Sequence, residues 1–460
     1  MKIMKLENFN LAIPIHILEI CQKIEEHGEE AYLVGGCVRD ILLDKEPNDW
    51  DFATTANPEK IVKIFGSTFG NGIKYGIPFV RYKGETYEIA QLRTDLNCDG
   101  RHCETEATRD VKEDVKRRDL TINACAYRPT TNELFYPETA MEDLKAKRLK
   151  TVGSAEERFL EDYLRILRVY RFASTLNMTI DEETRNSAIS IIKRDGLKFV
   201  SNERINKEFT KLICGENAKV VLDMMREDGI LELIIPELKI TFDYDQENPH
   251  HDKNLFEHII SSVNYVEQEP IIRWCALLHD IGKPSCATLD ENKNKHFKGH
   301  AIASAHIAET ILTRLRFSKK EKNDIVTLIQ YHDFLCAETS LNIRPSILRL
   351  VNKIGIELVK KVFDFRYADI LAQSSFEQEN KLKRIDFYKE ICMEIEKDLK
   401  RPSLKSLAIN GNDLICIGFK KGPLLGETLN ELLEIVIERP NLNKKEILLG
   451  FAAIILEKRN

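Results

Sequence analysis

The chain has 460 residues, 43% of them hydrophobic and 31% charged, with a formal net charge of -6. That length supports more than one hydrophobic core and argues against a single-domain reading, while the acidic balance argues against indiscriminate nucleic-acid binding and leaves local basic patches for it. Eleven cysteines without a CxxC pair argue against both a disulfide framework and a four-cysteine zinc site, and predict reduced thiols in a cytoplasm.

In chain order, Leu11 to Glu26 is apolar but interrupted by Pro14, His16 and Glu19. It predicts a packing helix, and no stretch reaches the roughly 18 apolar residues of a membrane span. Tyr32 to Val34 predicts a strand and Val38 to Leu43 a helix. Between them, Gly35 and Gly36 let the backbone approach a ligand and cradle phosphate oxygens. Arg39 then falls near a helix N-terminus, where anions are favoured. Asp49-Trp50-Asp51 precedes the apolar Phe52, and two aspartates on one face of a strand are costly without a cation. Their hard oxygens suit Mg²⁺. Either motif alone reads as an exposed turn; GGCVRD followed eight residues later by DWD is far more specific.

The first 145 residues hold most of the β-type alternation, with turn signals at Gly70-Asn71-Gly72, Gly76-Ile77-Pro78 and Lys83-Gly84. An α+β head is predicted. Glu88 lies in a predicted strand, where a lone glutamate is ordinarily solvated. Asn97 to Arg109, with Cys98, His102 and Cys103, reads as a surface loop because a metal site there lacks a fourth ligand. Asp110 to Tyr127 opens with charge and ends in an apolar, helix-like segment.

From about residue 146 the pattern is helical. Ser154 is the predicted N-cap, with Glu156 and Glu157 in the first turn, of one long helix carrying RFLEDYLRILRVYRFA. Asp162, Arg165, Arg168 and Arg171 recur every third residue on one broad face; taken alone they read as a salt-bridged surface with a Glu161–Arg165 pair. Residues 180 to 245 continue as short helices. Pro249-His250-His251 marks a boundary, beyond which His258, His279, Asp280, His300, His332 and Asp369 fall in successive helical segments. Imidazole and carboxylate suit a divalent transition metal, and Lys283 is placed to meet a phosphate.

GGCVRD and DWD together resemble the signature of the class II tRNA nucleotidyltransferases, the CCA-adding enzymes and their bacterial poly(A) polymerase relatives. RRDLTINACAY, EDYLRILR and KGPLLG resemble further motifs of that family, and H…HD…D resembles the HD phosphohydrolase superfamily. The resemblance implies an α+β fold: a polymerase-beta-like nucleotidyltransferase head with a small β-sheet (1–145), then an all-α neck (146–245), HD domain (246–375) and tail (376–460). It implies Asp49, Asp51 and Glu88 as the catalytic carboxylates holding Mg²⁺, with Gly35, Gly36 and Arg39 on the triphosphate. Arg118 and Asp119 would meet the ribose; Asp162 and Arg165 would read the base, with Arg168 and Arg171 on the same helix. His258, His279, Asp280, His300, His332 and Asp369 would bind a transition metal. The implied partners are tRNA, CTP and ATP, with no membrane. Implied too is a flexible loop near residues 97–109, where Cys103 replaces the family's usual proline. Rival readings are a poly(A) polymerase or partial CC- or A-adding enzyme, an HD phosphohydrolase with a decayed head, and a non-catalytic RNA-binding protein.

Overall fold

The alternation of apolar residues in the first third of the chain builds a sheet with a core on each face. A computed structural model describes residues 1–66, 68–69, 78–101, 103–247, 252–291, 294–334, 340–398 and 403–459. The turn signals at Gly70-Asn71-Gly72 and Gly76-Ile77, together with His102 and the boundary at Pro249-His250-His251, lie outside these residues. By contact density the chain forms two units, Met1–Pro236 and Glu237–Asn460.

The first unit includes the strands β1 (Lys2–Lys5), β2 (Ala31–Val34), β3 (Asp51–Thr54), β4 (Thr68–Phe69), β5 (Phe79–Tyr82), β6 (Glu85–Gln91), β7 (Arg93–Leu96), β8 (Glu104–Ala107), β9 (Ala126–Arg128) and β10 (Glu133–Tyr136). Eight of them form one sheet in the order β1-β10-β9-β2-β3-β6-β5-β4. β3 and β6 run parallel, with Asp51 opposite Glu88. Because successive strand residues face opposite ways, Leu33 and Phe52 join one core with Ile17 and Ile20, while Tyr32, Val34 and Ala53 join the other with Val111 and Val115. Helices α1 (Ile15–Glu25), α2 (Gly36–Leu42), α3 (Pro58–Phe65), α4 (Val111–Lys116) and α5 (Ala140–Lys145) cover the sheet.

Helices α6 (Ala155–Glu161), α7 (Leu164–Leu176), α8 (Glu182–Asp195), α9 (Asn202–Ile213), α10 (Ala218–Glu227) and α11 (Leu231–Ile234) complete this unit. Buried Tyr170 of α7 donates its hydroxyl proton to Asp228 Oδ2 at 2.6 Å. The second unit holds α12 (Leu255–Tyr265), α13 (Pro270–Leu278), α14 (Lys283–Cys286), α15 (His300–Arg314), α16 (Lys319–Tyr331), α17 (Ser340–Ile354), α18 (Ile356–Ala372), α19 (Gln378–Asp398), α20 (Gly411–Cys416), α21 (Pro423–Glu438) and α22 (Lys445–Arg459). Capping boxes at Asn254/Glu257 and Ser318/Glu321 start α12 and α16. Among the described residues, no helix is long and apolar enough to cross a membrane.

Five local expectations need correction. Asp49 and Asp51 do not share a strand: β3 begins at Asp51, because Pro47, Asn48 and Asp49 supply turn chemistry. The segment ending at Tyr127 is not helical, since Ala126 and Tyr127 enter the sheet beside β2 and β10, where tertiary pairing overrides local propensity. The long helix after Ser154 is broken. Ser154 does cap α6 by accepting from the Glu157 amide, but Asp162 is extended (φ -152°, ψ 106°) and its Oδ1 accepts the Leu164 amide at 3.0 Å. That side-chain bond competes with helix continuation. The predicted loop at Asn97 to Arg109 is partly strand, because Glu104–Ala107 form β8 and pair with β7 just before the span, and Cys98 and Cys103 near the tip of this hairpin are joined in a disulfide. Those two thiols are therefore not reduced; among the described residues eight other cysteines are free.

Candidate active site

A cavity of about 650 Å³ opens beside the strand ends of the head. Gly35, which must turn the chain between β2 and α2, has φ +77°. A Cβ there would lie 3.6 Å from Arg118 Nη1 and 3.8 Å from Asp51 Oδ2, so the glycine lets backbone, arginine and carboxylate converge. Asp49, Asp51, Gly35, Gly36, Arg39, Arg118, Asp119, Asp162, Arg165, Arg168 and Arg171 all border this one cavity. Glu88 stands beside Asp51 in register but is not among the lining residues.

Asp51 and Glu88 concentrate negative charge. Lost hydration between the cleft walls raises the Asp51 carboxyl above its ordinary value although the residue remains accessible to water; Arg118 offsets part of this and Asp49 adds to it. Glu88 is raised likewise, first by lost hydration and then by Asp51, against Arg93. Adjacent carboxylates that ionise reluctantly are a donor set a divalent cation relieves, and all-oxygen ligands fit Mg²⁺.

The other wall is cationic. Eight arginines line the cavity, a local density that the overall charge of -6 hides. They are held by buried acids. Asp114, 1% exposed, accepts from Arg117 Nη2 at 2.6 Å and from Arg118 Nη2 at 2.8 Å. Burial raises its carboxyl, but Arg118 and Arg117 outweigh that and hold it below the ordinary value. Asp119 Oδ2 accepts from Arg168 Nε at 2.6 Å, and its Oδ1 from the Leu120 amide. Arg39 is buried and donates to Asn123 Oδ1 at 2.7 Å and to Asp40. Arg171 lies 3.6 Å from the Phe172 ring centroid and pairs with Glu208 at 2.7 Å; burial, against the pull of Glu208, lowers its guanidinium to about 10.

Asp162 and Arg165 border the same space but bond to other groups. Arg165 Nη1 donates to Glu161 Oε2 at 2.5 Å, the i,i+4 pair expected of a solvated face, and Nη2 donates to the Arg117 carbonyl at 3.0 Å. Asp162 Oδ2 accepts from Arg204 Nη2 at 2.6 Å. Arg204 and Arg117 were not singled out by sequence reasoning, yet both line the cavity. One signal was present for Arg204: it lies in the first turn of α9, where a cation opposes the helix dipole.

The second unit brings all six predicted metal ligands together. His258, His279, Asp280 and Asp369 offer ligand atoms within 4.8 Å of one another, and Asp280 is shared with a second group containing His300 and His332. His279 and His332 end α13 and α16 as C-caps; His300 begins α15. Asp280 Oδ1 and Asp369 Oδ1 are buried with no aligned hydrogen-bond donor, a cost that coordination to a metal would remove. Burial pushes the His279 imidazole down, but Asp280 and Asp369 outweigh it and lift it to about 9. His332 is pushed down to about 3 by burial and then by His279. Lys283 pairs with Asp280 at 2.6 Å and donates to Gln246 Oε1. A 240 Å³ cavity opens on this cluster, bordered by Lys283, Arg366 and Lys381.

Comparison with known proteins bears on the whole chain. Residues 31–150 match the poly A polymerase head domain, residues 177–241 the RNA and SrmB-binding site of polymerase A, and residues 300–452 domain 2 of tRNA nucleotidyltransferase. The CCA-adding enzyme of Staphylococcus haemolyticus is 32% identical over 457 residues, covering 96% of this chain and 97% of its own. That of Ligilactobacillus salivarius is 30% identical, covering 98% of each. Among solved structures, the Bacillus stearothermophilus CCA-adding enzyme in complex with CTP superposes with a TM-score of 0.71 at 24% identity, over 99% of both chains, which shows a shared fold. With full-length relatives at this identity, and a head whose strand ends gather the expected carboxylates, the chain belongs to the family of CCA-adding enzymes.

Proposed function

We propose that this chain transfers CMP and AMP from CTP and ATP to the 3′ end of tRNA without a nucleic-acid template. One observation carries the reading: a single cavity joins Asp49 and Asp51 to eight arginines, the pairing that transfer from a nucleoside triphosphate requires. Asp49 and Asp51, assisted by Glu88, would hold Mg²⁺, which when bound lowers the pKa of the attacking hydroxyl and neutralises charge on the departing pyrophosphate. Gly36 and Arg39 position the triphosphate, and Arg118 and Asp119 meet the ribose. Asp162 and Arg165 read the base. Cytosine and adenine both present an amino donor beside a ring acceptor, which suits an acceptor-only carboxylate and a donor-only guanidinium. Catalysis by these side chains is alignment and charge stabilisation. The substrates point to the cytoplasm.

The test is incubation of tRNA transcripts ending before C, CC or CCA with CTP and ATP, followed by product sequencing. Completed CCA ends are expected. Long A tracts would identify a poly(A) polymerase, single additions a CC- or A-adding enzyme, and no addition at all would overturn the reading.

A second reading concerns residues 246–375, which we assign as an HD-type metal centre able to hydrolyse phosphate esters. The shared Asp280 and the two histidines in each of the two ligand groups favour one or two divalent transition metals over a purely structural body. The neck and tail boundaries at 146–245 and 376–460 follow from the same assignment.

A further inference from the structure

The contact between Asp162 and Arg204 has no part in the reading above, and it extends it. Asp162 sits where α6 ends and α7 has not begun, in extended backbone. Such a residue has no helical neighbours to fix its side chain. Three contacts do so instead. The Leu164 amide donates to Oδ1, Arg204 Nη2 donates to Oδ2, and the backbone bridges to Gly100 at the tip of the β7–β8 hairpin. An ionised carboxylate has about four acceptor positions, so two such bonds leave it able to accept a further donor from the cavity it lines.

Arg204 is oddly placed for any role within its own helix. It occupies the third position of α9, after the Ser201 N-cap, where a positive charge is unfavourable and an acidic residue would be favoured. Its guanidinium is a third exposed, lines the cavity, and ends 2.6 Å from the carboxylate proposed to face the base. The planar fork, not charge alone, suits it to fixing a carboxylate in one orientation.

We propose that Arg204 is a specificity-positioning residue: it holds the Asp162 carboxylate in the orientation that accepts the exocyclic amino group of cytosine or adenine, and so sets the margin against uracil and guanine. This rests on Asp162 reading the base. Without Arg204 the carboxylate keeps only the Leu164 amide on Oδ1 and can turn about that single bond, its alignment with the amino group is loosened, and the penalty against a carbonyl-bearing base weakens.

Single-turnover addition of CTP, ATP, UTP and GTP to a tRNA transcript tests it, in wild type, Arg204→Ala, Arg204→Gln, Arg204→Lys and Asp162→Ala. The expected result is a narrowing of the CTP-to-UTP and ATP-to-GTP ratios by about tenfold or more in Arg204→Ala, the equivalent of one lost discriminating bond. The narrowing should be smaller in Arg204→Lys, which restores charge without the fork. A merely structural arginine would lower the rate with all four nucleotides alike and leave the ratios unchanged; that outcome, with Asp162→Ala losing discrimination, overturns the proposal alone. If Asp162→Ala also keeps its ratios, the base-reading assignment itself fails. Should Arg204→Ala not fold, as judged by its thermal melt, the Gln and Lys variants decide between the same outcomes.

Discussion

At the scale of single residues, the active cavity is held in place by opposing charges whose pKa directions carry opposite consequences. Asp51 is raised in the folded protein, so the folded state binds its proton more tightly than the unfolded chain. Its contribution is therefore neutral below the ordinary carboxylate value and turns against folding as pH rises through the window up to the raised value. Above that window a cation should relieve it. Asp51→Asn is expected to lower nucleotide addition roughly 10²-fold or more while raising the melting temperature of the metal-free protein at neutral pH. Added Mg²⁺ should stabilise wild type and not the variant; equal Mg²⁺ responses in a thermal-shift series would remove Asp51 from the cation site. Asp162 and Arg165 make the matching prediction for the base. UTP or GTP leaves buried groups unpaired at about 1–3 kcal/mol each, so Arg165→Ala and Asp162→Ala should each cut CTP and ATP use together and narrow the margin over UTP and GTP. Full discrimination in both variants would return these residues to the salt-bridged surface that the Glu161–Arg165 pair already resembles.

At the scale of elements, what could be read from the sequence was what local chemistry decides. The strand before Gly35, the turn at the glycine pair and the Ser154 cap are each written in consecutive residues, and Glu88 falls in a strand as expected. The break at Asp162 was not readable, because every neighbour from Arg158 to Ala173 tolerates a helix and the interrupting partner, Gly100, is distant in sequence. Tyr163 donates its amide to the Gly100 carbonyl at 3.1 Å, so the hairpin tip takes a backbone bond that a continuous helix would have needed. The hairpin itself was obscured by polar composition: all four residues of β8 are exposed, leaving no apolar alternation to detect. Gly100 links the two. It has φ +88°, and a Cβ would fall 2.7 Å from Tyr163 Cε2. Gly100→Ala should therefore cost about 1–3 kcal/mol in stability and, by lifting the tip from Asp162, reduce base discrimination as well. A variant with lowered melting temperature but unaltered CTP-to-UTP ratio would show that the hairpin supports the fold without shaping the site.

At the scale of the whole molecule, net charge misleads and contact density informs. A chain of charge -6 gathers eight arginines around one cavity of the first unit, whereas the second unit gathers imidazoles and carboxylates around Asp280. Each unit has its own internal contacts, so damage to the cluster in one need not propagate into the chemistry of the other. Adjacent residues at a helix end diverge by about 100°, yet His279 Nε2 and Asp280 Oδ2 approach to 3.1 Å because α13 stops at Leu278 and the chain turns there. His258 Nε2 from α12 and Asp369 Oδ1 from α18, themselves 3.0 Å apart, complete the group. Purified protein is expected to retain a divalent transition metal, and replacing His279 and Asp280 together by Ala should remove it while leaving CCA addition by the first unit within about twofold of wild type, the behaviour of sites that do not share partners. Elemental analysis and the addition assay on the same preparation separate the outcomes. Unchanged metal content would reduce the cluster to a helical scaffold, and lost metal together with lost nucleotide addition would mean that the centre supports the transferase rather than a second reaction.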